Sequence, residues 1–238
     1  MNTRGVKITW CGHATFRIQS EGKTFYIDPF LSGNPSCPEA EKNPRRADAI
    51  LLTHGHADHI SDLLPLAKAS SAPVVCMLET GDWLKSKGLP ESQVKGINLG
   101  GAVKVAGATV TLVPARHSNG INDGDRVVYG GEPAGLVVEF AEGLRIYHAG
   151  DTCAFGDMAL IAELHQPDLV MLPIGGFFTM GPREAALACR LLKAPAALPI
   201  HYGTWPVLAG TPEEFQKELR TFSPGTQVIP LKPGETLG

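Results

Sequence analysis

The second half of this chain repeats the order of elements predicted for the first half, and this repetition constrains the fold most. Short apolar segments of strand length recur in both halves, separated by turn residues and by segments with helical periodicity. Three pairs of segments correspond at an offset of about 120 residues: Glu21-Gly22 with Glu142-Gly143, 48–52 with 168–172, and Ala72-Pro73 with Ala194-Pro195. A constant offset of this kind indicates an internal duplication.

Two similar halves, each with strands and helices, must bury one face of each sheet. Packing the two sheets against each other, with helices outside both, meets that need in a single unit. We therefore predict an α/β protein with a four-layer αββα sandwich and an internal pseudo-duplication. The prediction is one domain over residues 1–238, with halves at about 1–115 and 116–238. The stretches 32–46 and 118–133 are predicted as long loops, which are often functional.

One short stretch, Thr53-His54-Gly55-His56-Ala57-Asp58-His59, is far richer in metal-binding side chains than a structural loop requires. It follows an apolar segment of strand character. His54 and His56 alternate along an extended backbone and so point the same way. Asp58 and His59 lie just past a turn and can face a second point in space. The stretch can therefore serve two metal ions that lie close together.

Three further polar residues also follow apolar segments of strand character: His117, Asp151 and His201. The duplicated layout brings the ends of these strands to the same edge of the sandwich. The predicted ligands are His54, His56 and His117 for one ion, Asp58, His59 and His201 for the second, and Asp151 as a bridge between them. Imidazole and carboxylate ligands without thiolate favour zinc, with manganese, iron and nickel as alternatives.

Three other polar residues are candidates for contacts with the substrate or behind a metal ligand. His13 ends the first predicted strand and suits either role, or a structural hydrogen bond. Thr179 lies in a loop flanked by glycines, where its hydroxyl and backbone N–H can meet an oxyanion or a phosphate. His148 lies three residues before Asp151 and can hydrogen-bond behind a ligand.

Composition excludes some classes of protein. The formal net charge is −3 over 238 residues, which gives no basic footprint for nucleic acid. No apolar stretch approaches the ~20 residues needed to cross a bilayer. The first seven residues lack an apolar signal segment. The 5 cysteines are an odd number without a Cys-x-x-Cys pair and indicate reduced thiols. We expect a cytoplasmic protein with no nucleic-acid or membrane partner.

These motifs make the chain resemble the metallo-β-lactamase superfamily, whose His-x-His-x-Asp-His signature stands here at 54–59, followed by the later histidine, aspartate and histidine in the same order. It is more closely similar to a branch of small metal-dependent hydrolases related to the L-ascorbate-6-phosphate lactonases. The segments that carry this narrower resemblance are 10–16, 175–182 and 199–204. The resemblance spans essentially the whole chain and implies the αββα sandwich. Relatives are often multimeric, so a homo-oligomer stays open.

The ligand set and the resemblance together lead to a hypothesis about activity. We expect a metal-dependent hydrolase in which a metal-bound hydroxide cleaves a small ester, lactone or phosphodiester. Asp58 is expected both to bind metal and to orient the hydroxide. The substrate is expected to be a small molecule, and a phosphorylated one is compatible with the sequence. Two alternatives stay open: a mononuclear iron oxygenase of the same superfamily, and a metal-stabilised binding scaffold without catalysis.

Overall fold

A computed structural model describes residues 1–238. The strands, in chain order, are β1 (Lys7–Trp10), β2 (Phe16–Ser20), β3 (Lys23–Ile27), β4 (Ala49–Leu51), β5 (Val74–Met77), β6 (Val94–Ile97), β7 (Ala102–Val105), β8 (Ala108–Pro114), β9 (Gly120–Asp123), β10 (Arg126–Tyr129), β11 (Ala134–Glu139), β12 (Arg145–His148), β13 (Leu169–Pro173), β14 (Ala196–Ile200), β15 (Gln227–Val228) and β16 (Thr236–Leu237). The α-helices are α1 (Ala57–Ile60), α2 (Leu63–Ser70), α3 (Leu78–Ser86), α4 (Met158–His165), α5 (Pro182–Leu191) and α6 (Pro212–Phe222). None of these helices combines the length and the apolar character that a membrane span requires.

The strands form two seven-stranded sheets and one two-stranded hairpin. The first sheet has the order β16-β1-β2-β3-β4-β5-β6, and the second has the order β7-β8-β11-β12-β13-β14-β15. In both orders the first three neighbouring pairs of strands are antiparallel and the last three pairs are parallel. The same order and the same pairing in both sheets are the structural form of the duplication that the sequence predicts.

The boundary between the two halves was predicted at about residue 115, and in the structure it lies earlier in the chain. Strands β7 and β8 belong to the second sheet, because β8 pairs with β11 over six residue pairs. The chain therefore passes from the first sheet to the second between β6 and β7. The far edge of the first sheet is completed by β16, which comes from the other end of the chain and pairs with β1.

Three apolar layers hold the sandwich together. The central one contains 28 buried residues from the facing sides of both sheets, including Phe16, Phe25 and Phe140. The first sheet packs its outer face against α1, α2 and α3 through 15 buried residues, and the second sheet packs against α4, α5 and α6 through 19. Helix, sheet, sheet and helix thus form the predicted four-layer αββα sandwich.

One predicted loop is a β-hairpin. The stretch 118–133, expected to be a loop, contains β9 and β10, which pair with each other and with no strand of the two sheets. The turn between them includes Gly124 with a φ of 68°, a conformation that glycine adopts without strain. The hairpin stands at the strand-end edge of the sandwich, directly after His117, and so forms part of the surroundings of the predicted metal site.

Candidate metal centre

The ends of four strands place the predicted ligands at one edge of the sandwich. His54 follows β4, and the segment then turns so that His56 caps α1, with Asp58 and His59 inside its first turn. The remaining three follow β8, β12 and β14: they are His117, Asp151 and His201. The structure therefore brings all seven predicted ligands together, and an eighth residue, His13, joins them.

The donor atoms of these residues divide into two groups, and within each group they lie within 4.8 Å of one another. The first donor group consists of His54, His56, His117 and Asp151. The second donor group consists of His13, Asp58, His59 and His201. This division keeps the two predicted sets of three ligands apart, adds His13 to the second, and places Asp151, predicted as a bridge, with the first.

Asp151 lies between the two groups. Its Oδ2 atom is 3.6 Å from His117 Nε2 and 3.9 Å from His54 Nε2, on the side of the first group. The same oxygen is 3.1 Å from His201 Nε2, and Oδ1 is 3.4 Å from His59 Nε2, on the side of the second group. A carboxylate in this position can share its two oxygens between two cations, as the bridging role requires.

The chemistry of the donor set fits divalent metal ions. His59 Nε2, Asp151 Oδ1 and His201 Nε2 are buried and have no hydrogen-bond partner. Buried polar atoms without partners are costly in a folded protein, and a bound ion removes that cost. These atoms face one another at the edge where the strands end. Their arrangement is the one expected of ligands around a cation.

Asp28, which was not among the predicted site residues, fixes the orientation of ligand side chains through hydrogen bonds on the side away from the metal site. It is fully buried directly after β3 and accepts hydrogen bonds from His59 Nδ1 at 2.8 Å and from Thr53 Oγ1 at 2.6 Å. Because the only hydroxyl proton of Thr53 goes to Asp28, the Thr53 oxygen must accept from His54 Nδ1, which lies at 3.0 Å. The two histidines therefore carry a proton on Nδ1, which makes Nε2 the nitrogen that is directed at the metal site. In this structure His54 Nε2 lies 3.0 Å from His56 Nδ1.

The signal for Asp28 was present in the sequence. Asp28 is a polar residue directly after β3. The predicted ligands His54, His117 and Asp151 likewise lie within three residues of the end of a strand.

His13 is held by both halves of the chain. Its Nε2 lies 3.0 Å from Asp58 Oδ2 and its Nδ1 lies 2.9 Å from Thr204 Oγ1. Its backbone carbonyl accepts hydrogen bonds from Trp10 Nε1 and from the backbone N–H of His201, each at 3.0 Å. The segments 10–16 and 199–204 therefore meet at the second donor group. Of the roles considered for His13, the structure favours a contact behind a ligand.

The other two candidates differ in their surroundings. His148 is fully buried, and its ring nitrogens bond to the carbonyl of Ala14 and the N–H of Gly150. The expected hydrogen bond to a ligand side chain is absent, because the ring points between the sheets and not toward the strand-end edge. The hydroxyl of Thr179 is buried without a partner, and its role stays a prediction. Cys153, two residues after Asp151, is exposed, and all 5 cysteines are free.

Burial and neighbouring charges set the pKa values of the two groups apart. Burial lowers the pKa of His54 well below its ordinary value and also lowers the pKa values of His56 and His117. Burial opposes protonation of His201 too, but Asp151 and Asp58 outweigh it and raise the pKa of His201 to about 9. In the same way, Asp151 and Asp28 raise the pKa of His59 well above its ordinary value despite its burial. Without metal, the second group therefore holds protons at neutral pH.

Metal binding to the second donor group is expected to release protons. His59 and His201, whose pKa values are both raised, must lose a proton to bind an ion, so affinity rises with pH while they are still protonated at neutral pH and above. At pH 7 we expect roughly one to two protons released at this group and close to none at the first group. Calorimetric titration in two buffers with different ionisation enthalpies measures this number. Binding of both ions without any proton release would contradict the prediction.

Comparison with known proteins shows the family to which the chain belongs. The family described as Beta-lactamase superfamily domain matches residues 23–202. A UPF0173 metal-dependent hydrolase of Koribacter versatilis is 50% identical over 237 residues, which cover 99% of each chain. Another from Herpetosiphon aurantiacus is 46% identical over 230 residues, covering 96% of this chain and 95% of that protein. The solved structure of Igni18, a metallo hydrolase from Ignicoccus hospitalis, has a TM-score of 0.84 at 34% identity and covers 98% of this chain and 97% of its own.

Fold and site together define a metal-dependent hydrolase with the metallo-β-lactamase fold. The chain belongs to the β-lactamase superfamily and, within it, to the UPF0173 metal-dependent hydrolases. The superfamily, the fold and the enzyme class predicted from the sequence are thereby confirmed. The kind of substrate, the metal and the relationship to L-ascorbate-6-phosphate lactonases stay predictions.

Proposed function

We propose that this enzyme uses two divalent metal ions, with zinc favoured, to hydrolyse a small ester, lactone or phosphodiester. The observation that carries the proposal is the convergence of seven histidine and aspartate side chains at one edge, with Asp151 between two donor groups. When bound, such ions lower the pKa of a coordinated water from about 15.7 toward about 7 and polarise an oxygen of the substrate. Manganese, iron and nickel are the alternative ions.

The residues of the chain divide the remaining work. The residues that hold the ions are His54, His56 and His117 for one, Asp58, His59 and His201 for the other, and Asp151 for both. Asp58 orients the attacking water and carries a proton to the leaving group. The contact of His13 Nε2 with Asp58 Oδ2 supports this role, because it fixes the orientation of the carboxylate.

A substrate panel tests the proposed function. We expect the metal-loaded enzyme to hydrolyse at least one class among carboxylic methyl esters, γ-lactones and bis(p-nitrophenyl) phosphate, and to lose that activity with a chelator. Zinc and manganese are added in separate arms, with metal content measured in each. Consumption of oxygen by a protein that holds one iron would favour the oxygenase alternative. A protein that holds two ions and cleaves no compound of the panel would favour the binding scaffold.

The contact between His13 and Asp58 leads to a prediction with a matched pair of variants. Asparagine at position 13 keeps a polar group near the position of Nδ1 but does not reach Asp58, whereas glutamine places an N–H near the position of Nε2. We expect His13→Asn to lower kcat about 10- to 100-fold with both ions retained. His13→Gln is expected to recover most of that loss. Equal losses in both variants would show that His13 has only a structural role.

The location, partners and assembly of the enzyme are also part of the proposal. Net charge and the free cysteines support a cytoplasmic enzyme with a small-molecule substrate and no nucleic-acid or membrane partner. A homo-oligomer is compatible with this function. Light scattering of the purified protein measures its assembly state.

A further inference from the structure

The hairpin of β9 and β10 forms one wall of a cleft that opens beside the metal ligand His117. The cleft has a volume of about 420 Å³, and the residues that line it include His117, Ser118, Val127, Tyr129 and Glu132. A cleft of this size accommodates a group such as an aromatic ring next to the first donor group. The proposed function assigns no role to it.

Asn119, which also lines this cleft, connects it to the metal-binding segment. The side chain of Asn119 is buried, and its Oδ1 accepts a hydrogen bond from the backbone N–H of Gly55 at 2.7 Å. Its Nδ2 donates to the carbonyls of Gly130 at 2.9 Å and Glu132 at 3.3 Å. Gly55 stands between the ligands His54 and His56. The start and the end of the hairpin are therefore held in a fixed position relative to the first donor group.

Two of the lining residues, Val127 and Tyr129, are large, largely apolar and exposed. Val127 and Tyr129 alternate along β10 and so lie on the same face of the hairpin. Their exposed fractions are 70% and 64%, although residues of these types are usually more buried. Apolar side chains held open beside a reaction centre are typical of a surface that a ligand covers.

The charge of the walls restricts which ligand fits. Glu132 is the single acidic residue among the lining residues, and no lysine or arginine lines the cleft. Its carboxylate accepts a hydrogen bond from the hydroxyl of Tyr129 at 3.2 Å, which keeps it beside that side chain. A phosphate or carboxylate in the cleft would meet no cationic side chain and would face Glu132.

We propose that this cleft binds the part of the substrate remote from the bond that is cleaved, and that this part is apolar and carries no negative charge. The inference rests on the proposed function and narrows it to esters or lactones with an uncharged apolar group. It also separates this enzyme from lactonases of phosphorylated sugars, whose substrates carry a dianion away from the reacting carbonyl.

Two esters with the same leaving group and different remote groups test the proposal. Methyl 3-(4-methylphenyl)propionate is uncharged, and methyl 3-(4-carboxyphenyl)propionate has the same ring with a carboxylate in place of the methyl group. Release of protons to a pH indicator measures turnover of both. We expect kcat/KM to be at least about tenfold higher for the uncharged ester. Equal values, or a preference for the anionic ester, would overturn the proposal.

Variants of the hairpin test whether the cleft causes the preference for the uncharged ester. Tyr129→Ala is expected to raise KM for the uncharged ester by about fivefold or more with kcat unchanged. Glu132→Gln is expected to reduce the difference between the two esters. Arg126→Gln is the matched control, because Arg126 is exposed on the same strand and does not line the cleft. If the first two variants behave like Arg126→Gln while wild type keeps its preference, the cleft is not the binding site.

A binding measurement that needs no turnover distinguishes failure of the proposed function from failure of the cleft assignment. The corresponding amides, 3-(4-methylphenyl)propionamide and 3-(4-carboxyphenyl)propionamide, are followed by saturation-transfer NMR on protein with measured metal content. We expect the uncharged amide to bind wild type and to lose most of its signal with Tyr129→Ala, whether or not the esters are cleaved. A protein that binds this amide but cleaves no ester refutes ester hydrolysis and keeps the cleft assignment. Absence of binding, or binding unaffected by Tyr129→Ala, refutes the assignment.

Discussion

Asp58→Asn is expected to lower kcat by about 10²- to 10⁴-fold while most of the bound metal stays in place. Asparagine has nearly the same shape as aspartate, and its amide oxygen can still face the second donor group. It cannot accept a proton at this position, and its amide group repels the N–H of His13 if that ring donates at Nε2. The measurement combines kcat on the best substrate of the panel with the molar ratio of metal to protein.

The matched control for this variant is Asp125→Asn, which makes the same chemical change in the exposed turn of the hairpin. It is expected to leave both kcat and metal content unchanged. Wild-type turnover in Asp58→Asn would show that another group orients the water. A parallel loss of turnover and of metal would show that Asp58 acts only as a ligand.

Asp151→Asn is expected to weaken the binding of both ions, by about 100-fold or more. Its carboxylate lies within 4 Å of imidazoles of both donor groups. The substitution removes a negative charge and turns one donor oxygen into an N–H₂ group that cannot bind a cation. Competition with a chromophoric chelator gives the two dissociation constants. The increase in Tm on metal addition, which reports binding to the folded state, is expected to shrink in parallel.

His54→Asn separates a bridging role from a role in one group. His54 belongs to the first donor group, so this variant is expected to weaken the binding of one ion. The dissociation constant of that ion rises, and the dissociation constant of the other ion stays near its wild-type value. If Asp151→Asn also changes a single constant, Asp151 serves one ion and does not bridge. Unchanged binding of both ions in Asp151→Asn would refute its place in the centre.

Sequence periodicity predicted the layers because the strands that build them bury their side chains. Segments such as β11 and β13 are almost wholly apolar, and the constant offset between the halves indicated how they combine. Strand β10 was missed because Val127 and Tyr129 face solvent and give no sign of a core. Strands β15 and β16 have two residues each, which is too short for any periodic pattern.

The metal centre was predictable to the extent that its residues follow strands. Each predicted ligand is a polar residue shortly after an apolar segment, and the motif at 54–59 gave the first four. The role of Asp28 depends on hydrogen bonds to Thr53 and His59, which a sequence separation of 25 or more residues hides. The surroundings of His148 depend on the facing sheet, since its partner Ala14 lies 134 residues away.

The pairing of β16 with β1 has a consequence for how the polypeptide reaches its native state. Ile8 and Leu237 are partners although almost the whole chain separates them, and closing so long a loop is slow. Until that closure, β1 presents unpaired N–H and C=O groups along an open border, which attracts strands of other molecules. Yield during refolding should therefore depend on protein concentration, and shielding this border, for example with a chaperone, should raise it.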